Sequence, residues 1–294
     1  MDQIPRITEQ HLLNTLNTLP QGIIVDDTLR VVALSIAIIK HFLGVEWFDQ
    51  HMTPTETGKS GFLRIIAGSH AEAQTSAFRA VDFAEAIFNL QNIEGFDNCL
   101  QQMKTASIEA TYAEIDFGRW LYANQINFRF IKPIGKKRYD YDVEIIFEDG
   151  VQVCADAKCK IEENEFSHES VINTLNSARK QFPSDRPSTI FVKVPSHWFA
   201  DLEHAIALEG IARDFLRGTQ RVVSIIFYSN HLLYRDGSLS HSHAFKEVTN
   251  PRNRFDQERD WEMFKTRPAG GWNGMPTVYR RLVFFPKRGP DDQK

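Results

Sequence analysis

The chain has 294 residues, of which 42% are hydrophobic and 24% charged, and its formal net charge is −4. These values are ordinary for a globular protein and exclude a disordered, collagen-like or disulfide-rich chain. The small negative charge predicts no overall attraction to nucleic acid, so any such surface must come from local basic clusters. Three cysteines without a C-x-x-C pair, and an N-terminus unlike a signal peptide, predict a reduced, cytoplasmic protein.

Residues 1–105 are predicted to form a helical N-terminal domain. Its helices are expected at about 8–19, 28–42, 70–90 and 95–105. Asp27 or Thr28 is the expected N-cap of the second helix. The polar segment 49–61 contains proline and glycine, which predicts a loop. The apolar run at 31–43 is too short and too close to charged residues to span a bilayer, so we expect no membrane partner.

From residue 106 to 294 the pattern changes to that of a mixed α/β domain. In chain order it predicts a helix at 107–124, strands at 127–134, 139–148 and 151–160, a helix at 169–181, a strand at 188–194, a helix at 199–217 and a strand at 221–234. The tripeptide at 148–150 (EDG) predicts a hairpin. The order αβββαβαβ is typical of a mixed sheet with helices on its faces. A C-terminal extension from about 240 contains one strand-like run, at 278–285.

The second and third predicted strands are charged on one side and apolar on the other, because residues two apart share a face of a strand. The charged sides carry Asp140, Asp142 and Glu144 on the second strand, and Asp156, Lys158 and Lys160 on the third. The hairpin makes these strands antiparallel neighbours. It should bring Asp142 roughly opposite Asp156, with the Cβ atoms about 4.5–5.5 Å apart.

Two carboxylates at that separation repel each other unless a positive charge lies between them. Mg²⁺ suits such a place, because it binds a few carboxylates together with substrate phosphate. Lys158, on the same face as Asp156, would point at the same pocket and offset charge that develops on a phosphoryl group. The alternative is a strand face that is charged only because it meets water.

This constellation resembles that of the PD-(D/E)xK nuclease superfamily, which has the restriction-endonuclease-like fold. Asp142 matches the first acid of the family pattern, and Asp156-Ala157-Lys158 matches its (D/E)-x-K element. Glu114 matches the glutamate that the preceding helix often carries. The resemblance covers about residues 107–234 and includes the αβββαβ order. It departs from the pattern at Tyr141, where the motif has proline.

The resemblance implies metal-assisted hydrolysis of phosphodiester bonds with Mg²⁺ or Mn²⁺. The implied metal ligands are Asp142, Asp156, Glu114 and the main-chain carbonyl of Ala157. Lys158 would orient the attacking water. Asp140 competes with Asp142 for the place of the first acid, and Glu109 competes with Glu114.

Further residues are candidates for supporting roles. Lys160 shares the strand face of Lys158, and Gln181 ends the following helix, where some relatives in the superfamily carry a supporting side chain. Five positive charges lie in the stretch 129–138, and those expected to bind phosphates are Lys132, Lys136, Lys137 and Arg138. A second basic cluster comprises Arg280, Arg281, Lys287 and Arg288.

The expected partner is therefore nucleic acid, with DNA as the expected substrate, in restriction, defence or repair. A homodimer is left open. Two other interpretations also remain. One is a catalytically inactive module of the same fold that binds nucleic acid or protein. The other is a structural α/β domain whose acidic face is only solvated.

Overall fold

A computed structural model describes residues 4–24, 26–53, 63, 70–136, 138–235, 238–264, 278–279 and 282–283. The chain divides into two compact units. Unit 1 comprises Met1–Asn92 with Gly274–Lys294, and unit 2 comprises Ile93–Asn273. The predicted boundary near residue 105 thus lies inside unit 2. The predicted mixed α/β class is confirmed for the fold.

Unit 1 is helical in its described residues. Its helices are α1 (Glu9–Asn17), α2 (Gln21–Ile24), α3 (Asp27–Leu43), α4 (Val45–His51) and α5 (His70–Leu90). Ile38, Phe42, Phe83 and Ile87 are buried and supply the apolar face that α3 and α5 share. By length and hydropathy no single described helix can cross a bilayer, and α3 and α4 meet that criterion only as a pair bent by 116°.

Two details of unit 1 differ from the sequence predictions. The N-cap of α3 is Asp26, whose Oδ1 accepts hydrogen bonds from the amides of Thr28 (2.8 Å) and Leu29 (3.0 Å). The prediction of Asp27 or Thr28 as the cap was wrong by one or two residues. Helix α4 occupies the start of the predicted 49–61 loop, and residues 54–61 of that loop lie outside the described residues.

Unit 2 is built on one six-stranded sheet. Its strands are β1 (Asn127–Phe130), β2 (Val143–Ile146), β3 (Gln152–Cys159), β4 (Ser188–Lys193), β5 (Val222–Arg235) and β6 (Ser238–Thr249), in the spatial order β1-β2-β3-β4-β5-β6. The first three strands are antiparallel, β3, β4 and β5 are parallel, and β6 runs antiparallel to β5. The sheet is therefore mixed, as the element order predicted.

Helices cover the sheet on both faces. They are α6 (Phe96–Thr105), α7 (Ile108–Ala123), α8 (His168–Gln181), α9 (Ser196–Ala200) and α10 (Leu202–Arg217). On one face the fully buried Phe182, Ile190 and Trp198 belong to a hydrophobic cluster that α8 and α10 share with the central strands. On the other face Phe117 of α7 stacks on Phe191 of β4 at 4.5 Å between ring centroids.

Several boundaries in unit 2 differ from the predicted ones. The predicted helix at 199–217 is two helices, because Asp201 caps the start of α10 and accepts from the amide of Glu203 at 2.8 Å. Strand β6 was not predicted. Of the strand-like run at 278–285, only residues 278–279 and 282–283 are described, and they are helical, so that prediction was wrong there.

Two glycines determine how the elements around the candidate site approach one another. Gly150 has a φ of 83° in the turn between β2 and β3, a conformation that favours glycine, and the predicted hairpin is confirmed. A Cβ at Gly118 of α7 would lie 2.5 Å from Cζ of Phe130 in β1. The missing side chain therefore lets α7 lie directly against the edge of the sheet.

Candidate active site

The β2–β3 hairpin places two aspartates side by side. Val143 pairs with Ala155 at the start of β2, and Asp142 comes immediately before Val143. The Asp142 amide donates to the carbonyl of Ala155 at 3.0 Å, and its carbonyl accepts from the amide of Ile131 at 2.8 Å. Asp142 is thus held between β1 and β3, next to Asp156, as the strand alternation and the hairpin predicted.

The structure distinguishes between the two candidates for the first acid. Oδ2 of Asp142 accepts a hydrogen bond from the amide of Ala157 at 2.7 Å, which orients this carboxylate toward β3. Asp140 instead accepts from the amide of Ile134 at 2.9 Å and lies in the loop before β2. Asp142 is therefore the acid that belongs to the same cluster as Asp156.

Lys158 supplies a positive charge at this point of the sheet. Its Nζ lies 2.6 Å from Oδ2 of Asp156, and the side chains of Lys158 and Asp156 are 25% and 1% exposed. Because the two residues are two apart on β3, they share a face. One ammonium group therefore stands beside two neighbouring carboxyl groups.

Burial makes this arrangement unfavourable for the ionised acids. Burial raises the pKa of Asp156 well above its ordinary value, and the neighbouring Asp142 raises it further while Lys158 lowers it. Burial also raises the pKa of Asp142, against the opposing effect of Lys158. The pKa of Lys158 is raised although burial opposes this, because Asp156 and Asp142 favour its charged form.

Glu114 approaches the same cluster from α7. Burial raises the pKa of Glu114 well above its ordinary value, and Asp142 and Asp156 raise it further. Its Oε2 accepts a hydrogen bond from Sγ of Cys99 in α6, at 3.7 Å. The competing Glu109 instead acts on Cys159, whose pKa burial raises first and the charge of Glu109 raises further. Of the two helix glutamates, Glu114 is the one whose pKa is raised by both aspartates.

Cys99 is a member of the site that the sequence analysis did not identify. It is buried, and burial followed by the charges of Glu114 and Asp142 raises the pKa of its thiol. No motif or spacing links position 99 to position 114, because the contact depends on how α6 packs beside α7. The only available signal was a cysteine in a helix that precedes the family-like segment.

The residues of this cluster fit a divalent cation in part. Within the described chain neither oxygen of Asp156 accepts a hydrogen bond of ordinary geometry, although both are buried and Lys158 lies close to Oδ2. Carboxylate oxygens of this kind are ligands that Mg²⁺ and Mn²⁺ prefer. Across the described ranges no group of three His, Cys, Asp or Glu side chains is arranged to hold a metal. The fit therefore rests on Asp142 and Asp156, with Glu114 nearby.

The remaining predicted residues are dispersed. Lys132, Lys136 and Arg138 are exposed in the loop before β2, and Lys137 lies outside the described residues. Arg129, which the sequence analysis counted with them, is instead paired with the buried Glu144 at 2.6 Å. The second basic cluster (Arg280, Arg281, Lys287 and Arg288) lies outside the described residues.

The two supporting candidates, Lys160 and Gln181, are found near opposite ends of α8. Nζ of Lys160 is 2.7 Å from Oγ of Ser170, in the first turn of the helix. Gln181 is the last residue of α8, and among the described residues no hydrogen bond joins it to the acidic cluster. The Ala157 amide binds Asp142, a contribution that the sequence analysis did not predict.

Comparisons with known proteins add little to this geometry. No protein-family model matches the sequence, and no curated protein matches it. Among solved structures, the central domain of yeast acetyl-CoA carboxylase is similar over 83% of this chain and 38% of its own, with 11% identity and a TM-score of 0.32. This chain therefore spans less than two fifths of that structure, and a similarity at this level carries no functional argument.

Proposed function

We propose that unit 2 is a metal-dependent nuclease that hydrolyses phosphodiester bonds in nucleic acid, with DNA as the expected substrate. The observation that supports this is the pair of neighbouring carboxyl groups, Asp142 and Asp156, that share a single ammonium group, Lys158. Placing like charges together in a protein interior is costly, and such groups are concentrated at functional sites.

A divalent cation would remove this conflict. Mg²⁺ or Mn²⁺ between the two carboxylates would favour their ionised forms and thereby reverse the effect that burial has on their pKa values. When bound, the cation supplies a Lewis acid that offsets charge on a phosphodiester group and lowers the pKa of water. Asp142 and Asp156 are the proposed ligands, and Glu114 and the carbonyl of Ala157 complete the set that the family resemblance implies.

The other contacts of the cluster have roles that follow from their positions. The Ala157 amide orients Asp142, so that this carboxylate does not need to be ordered when the substrate arrives. Lys158 remains charged because both aspartates raise its pKa, and it can donate to the attacking water or to a phosphoryl oxygen. Cys99 donates to Glu114 and so orients that carboxyl group.

The resemblance to the PD-(D/E)xK superfamily supports the same proposal, through the D…D-x-K residues and the αβββαβ order. The exposed Lys132, Lys136 and Arg138 are the proposed contacts to flanking phosphates. A cytoplasmic location is part of the proposal, and so is the absence of a membrane partner. Homodimer formation stays open within it.

A cleavage assay with matched variants tests the proposal. Single- and double-stranded DNA and RNA are incubated with the protein in Mg²⁺ or Mn²⁺, with and without EDTA. Asp156→Asn and Lys158→Met should each lower cleavage by at least about 100-fold, which is the usual size of such electrostatic contributions. Asp214→Asn and Lys104→Met change exposed residues of the same types and should cleave as the wild type does.

A second candidate function is an inactive module that binds nucleic acid. The absence of a three-ligand group among the described residues favours it. Binding of nucleic acid without any metal-dependent cleavage would support this candidate. Cleavage that persists in EDTA, or in both site variants, would contradict the nuclease proposal.

A further inference from the structure

A polar cleft of about 530 Å³ lies beside Lys158, between the end of β3 and the first half of α8. Lys158, in β3, and Lys160, just after it, line one side of the cleft. Ser170, Thr174 and Ser177 line the other side from α8. The three hydroxyl residues follow a spacing of four and then three residues, which puts them on one side of the helix. The cleft is thus an extension of the candidate active site with a wall of hydroxyl groups, of which that of Thr174 already donates to the carbonyl of Ser170 at 3.0 Å.

Lys160 differs from Lys158 in its partner. Its Nζ contacts the hydroxyl of Ser170 at 2.7 Å, and within the described ranges no carboxylate forms an ion pair with it. Burial lowers the pKa of this ammonium group. The cleft contains one acidic side chain, Glu169, which is exposed in the first turn of α8. A partly desolvated cation with a neutral partner is a site for an anion.

The positions of the two lysines define which anion fits. Lys158 is in β3, and Lys160 follows its last residue with its amide still donating to the carbonyl of Lys193 at 2.8 Å. Their Cα atoms are therefore about 6.5 Å apart, given a rise of about 3.3 Å per residue. This is similar to the distance between successive phosphates of an extended polynucleotide strand. Nζ of Lys158 contacts Asp156 and Nζ of Lys160 contacts Ser170, so the two ammonium groups have separate partners and can take two successive phosphates of one strand.

We propose that the cleft binds the phosphate next to the scissile one, with Lys160 as its main ligand and the hydroxyl groups of Ser170 and Ser177 as neutral donors. This inference rests on the proposed function, because it assigns the scissile phosphate to Lys158. The strand then runs along β3 and α8, and Lys160 is a binding residue for the polymer and not a catalytic residue.

The test compares Lys160→Gln with Lys104→Gln, an exposed lysine of α6, a helix that does not line the cleft. Binding of a fluorescein-labelled 12-nucleotide DNA strand is measured by anisotropy in Ca²⁺ at several salt concentrations, and its cleavage is measured in Mg²⁺. Lys160→Gln should weaken binding by at least about tenfold, which is the usual effect of losing a charge-assisted hydrogen bond. It should also reduce the slope of log affinity against log salt by about 0.7. KM should rise with kcat unchanged.

A second variant distinguishes a loss of phosphate binding from misfolding of Lys160→Gln. Glu169→Gln removes the acidic group at the cleft and should tighten binding several-fold, an effect that a damaged fold does not produce. Equal binding by wild type, Lys160→Gln and Glu169→Gln would overturn the inference, even if cleavage supports the nuclease. A fall in kcat for Lys160→Gln at unchanged KM would also overturn it.

The two proposals fail in different ways. Salt-dependent binding that requires Lys160, without cleavage by the wild type, would support the cleft as a nucleic-acid site and contradict the nuclease. Cleavage that requires Lys158 and is indifferent to Lys160 would support the nuclease and contradict the cleft. A wild-type protein that neither binds nor cleaves the strand would contradict both.

Discussion

Asp156→Asn should stabilise unit 2 in the absence of metal, which is unusual for a change at a fully buried polar residue. At an effective dielectric constant of about 20, charges about 5 Å apart repel by roughly 3 kcal/mol, and an ion pair with the observed 2.6 Å between Nζ and Oδ2 gains roughly 6 kcal/mol. The attraction by Lys158 therefore exceeds the repulsion by Asp142 by roughly 3 kcal/mol. The desolvation of the Asp156 carboxylate, several kcal/mol in effect, outweighs this difference, which is the direction in which the pKa of Asp156 is raised.

Part of this gain is lost, because the new amide also needs hydrogen-bond partners, at a cost of about 1–3 kcal/mol. We expect a net stabilisation of about 1–2 kcal/mol. For a unit of this size that corresponds to a rise in Tm of roughly 2–8 °C, measured by calorimetry in EDTA. With Mn²⁺ at about 100 times its Kd, the wild type should gain about 2.7 kcal/mol and the variant little.

Asp116→Asn is the matched control, since Asp116 is as buried as Asp156 but is paired. Asp116 forms a buried ion pair with Arg119 and accepts from Nδ2 of Asn230 at 3.2 Å. Breaking such a pair usually costs about 3–5 kcal/mol. The two aspartates should thus respond with opposite signs. Equal destabilisation of both variants in EDTA, together with equal shifts in Mn²⁺, would refute the reasoning.

The same physics predicts how stability depends on pH without metal. Burial raises the pKa values of Asp142, Asp156 and Glu114, so the folded state binds protons more tightly than the unfolded state. The free energy of unfolding should therefore fall as pH rises from about 4, the ordinary range of these acids, through their raised values. Asp156→Asn should make this decline smaller, because it removes one of the three groups.

Three further predictions concern the fold of unit 2. Gly118→Ala should destabilise it by about 1–3 kcal/mol, because the new methyl group meets a phenylalanine ring. Gly210→Ala, with no atom within 4 Å, should stabilise it by about 0.5–1 kcal/mol, and chemical denaturation compares the two. A carbon NMR titration should find the carboxyl of Glu247 with a pKa of about 7, raised by burial, and a value near 4.5 would contradict this. Arg186→Met should cost about 2–4 kcal/mol in thermal unfolding, because it removes a partner of the buried Glu144, and a change below 0.5 kcal/mol would contradict the importance of that pair.

The elements around the acids were predictable because local patterns determine them. The alternation in the two strands and the EDG turn together determine which residues of β2 and β3 face each other. The same patterns could not separate Asp140 from Asp142, because the two share a strand face. What separates them is a hydrogen bond from Ala157, a contact across the sheet that the sequence of either strand alone does not specify.

The features that were missed depend on contacts between distant segments. Strand β6 is polar along much of its sequence, and it is a strand because β5 offers it a paired edge over twelve residues. Arg129 was counted in a basic cluster. It belongs to β1 and pairs with Glu144, which is buried in the neighbouring strand β2. Cys99 reaches Glu114 only because α6 and α7 pack together.

Burial disfavours the ionised forms of the acids in unit 2, and a cluster of this kind is what a functional site, more than a structural one, would keep. In a purely structural domain, replacing Asp156 by asparagine would relieve a repulsion and leave the fold intact. Unit 2 nevertheless has three buried or half-buried acids and one lysine at a single point, whereas Asp116, a buried aspartate of α7, forms an ion pair with Arg119. Destabilisation confined to one place is the usual cost of a preorganised site. A cation that binds there would stabilise the folded state. The dependence of stability on metal is therefore a more direct test of the site than cleavage is.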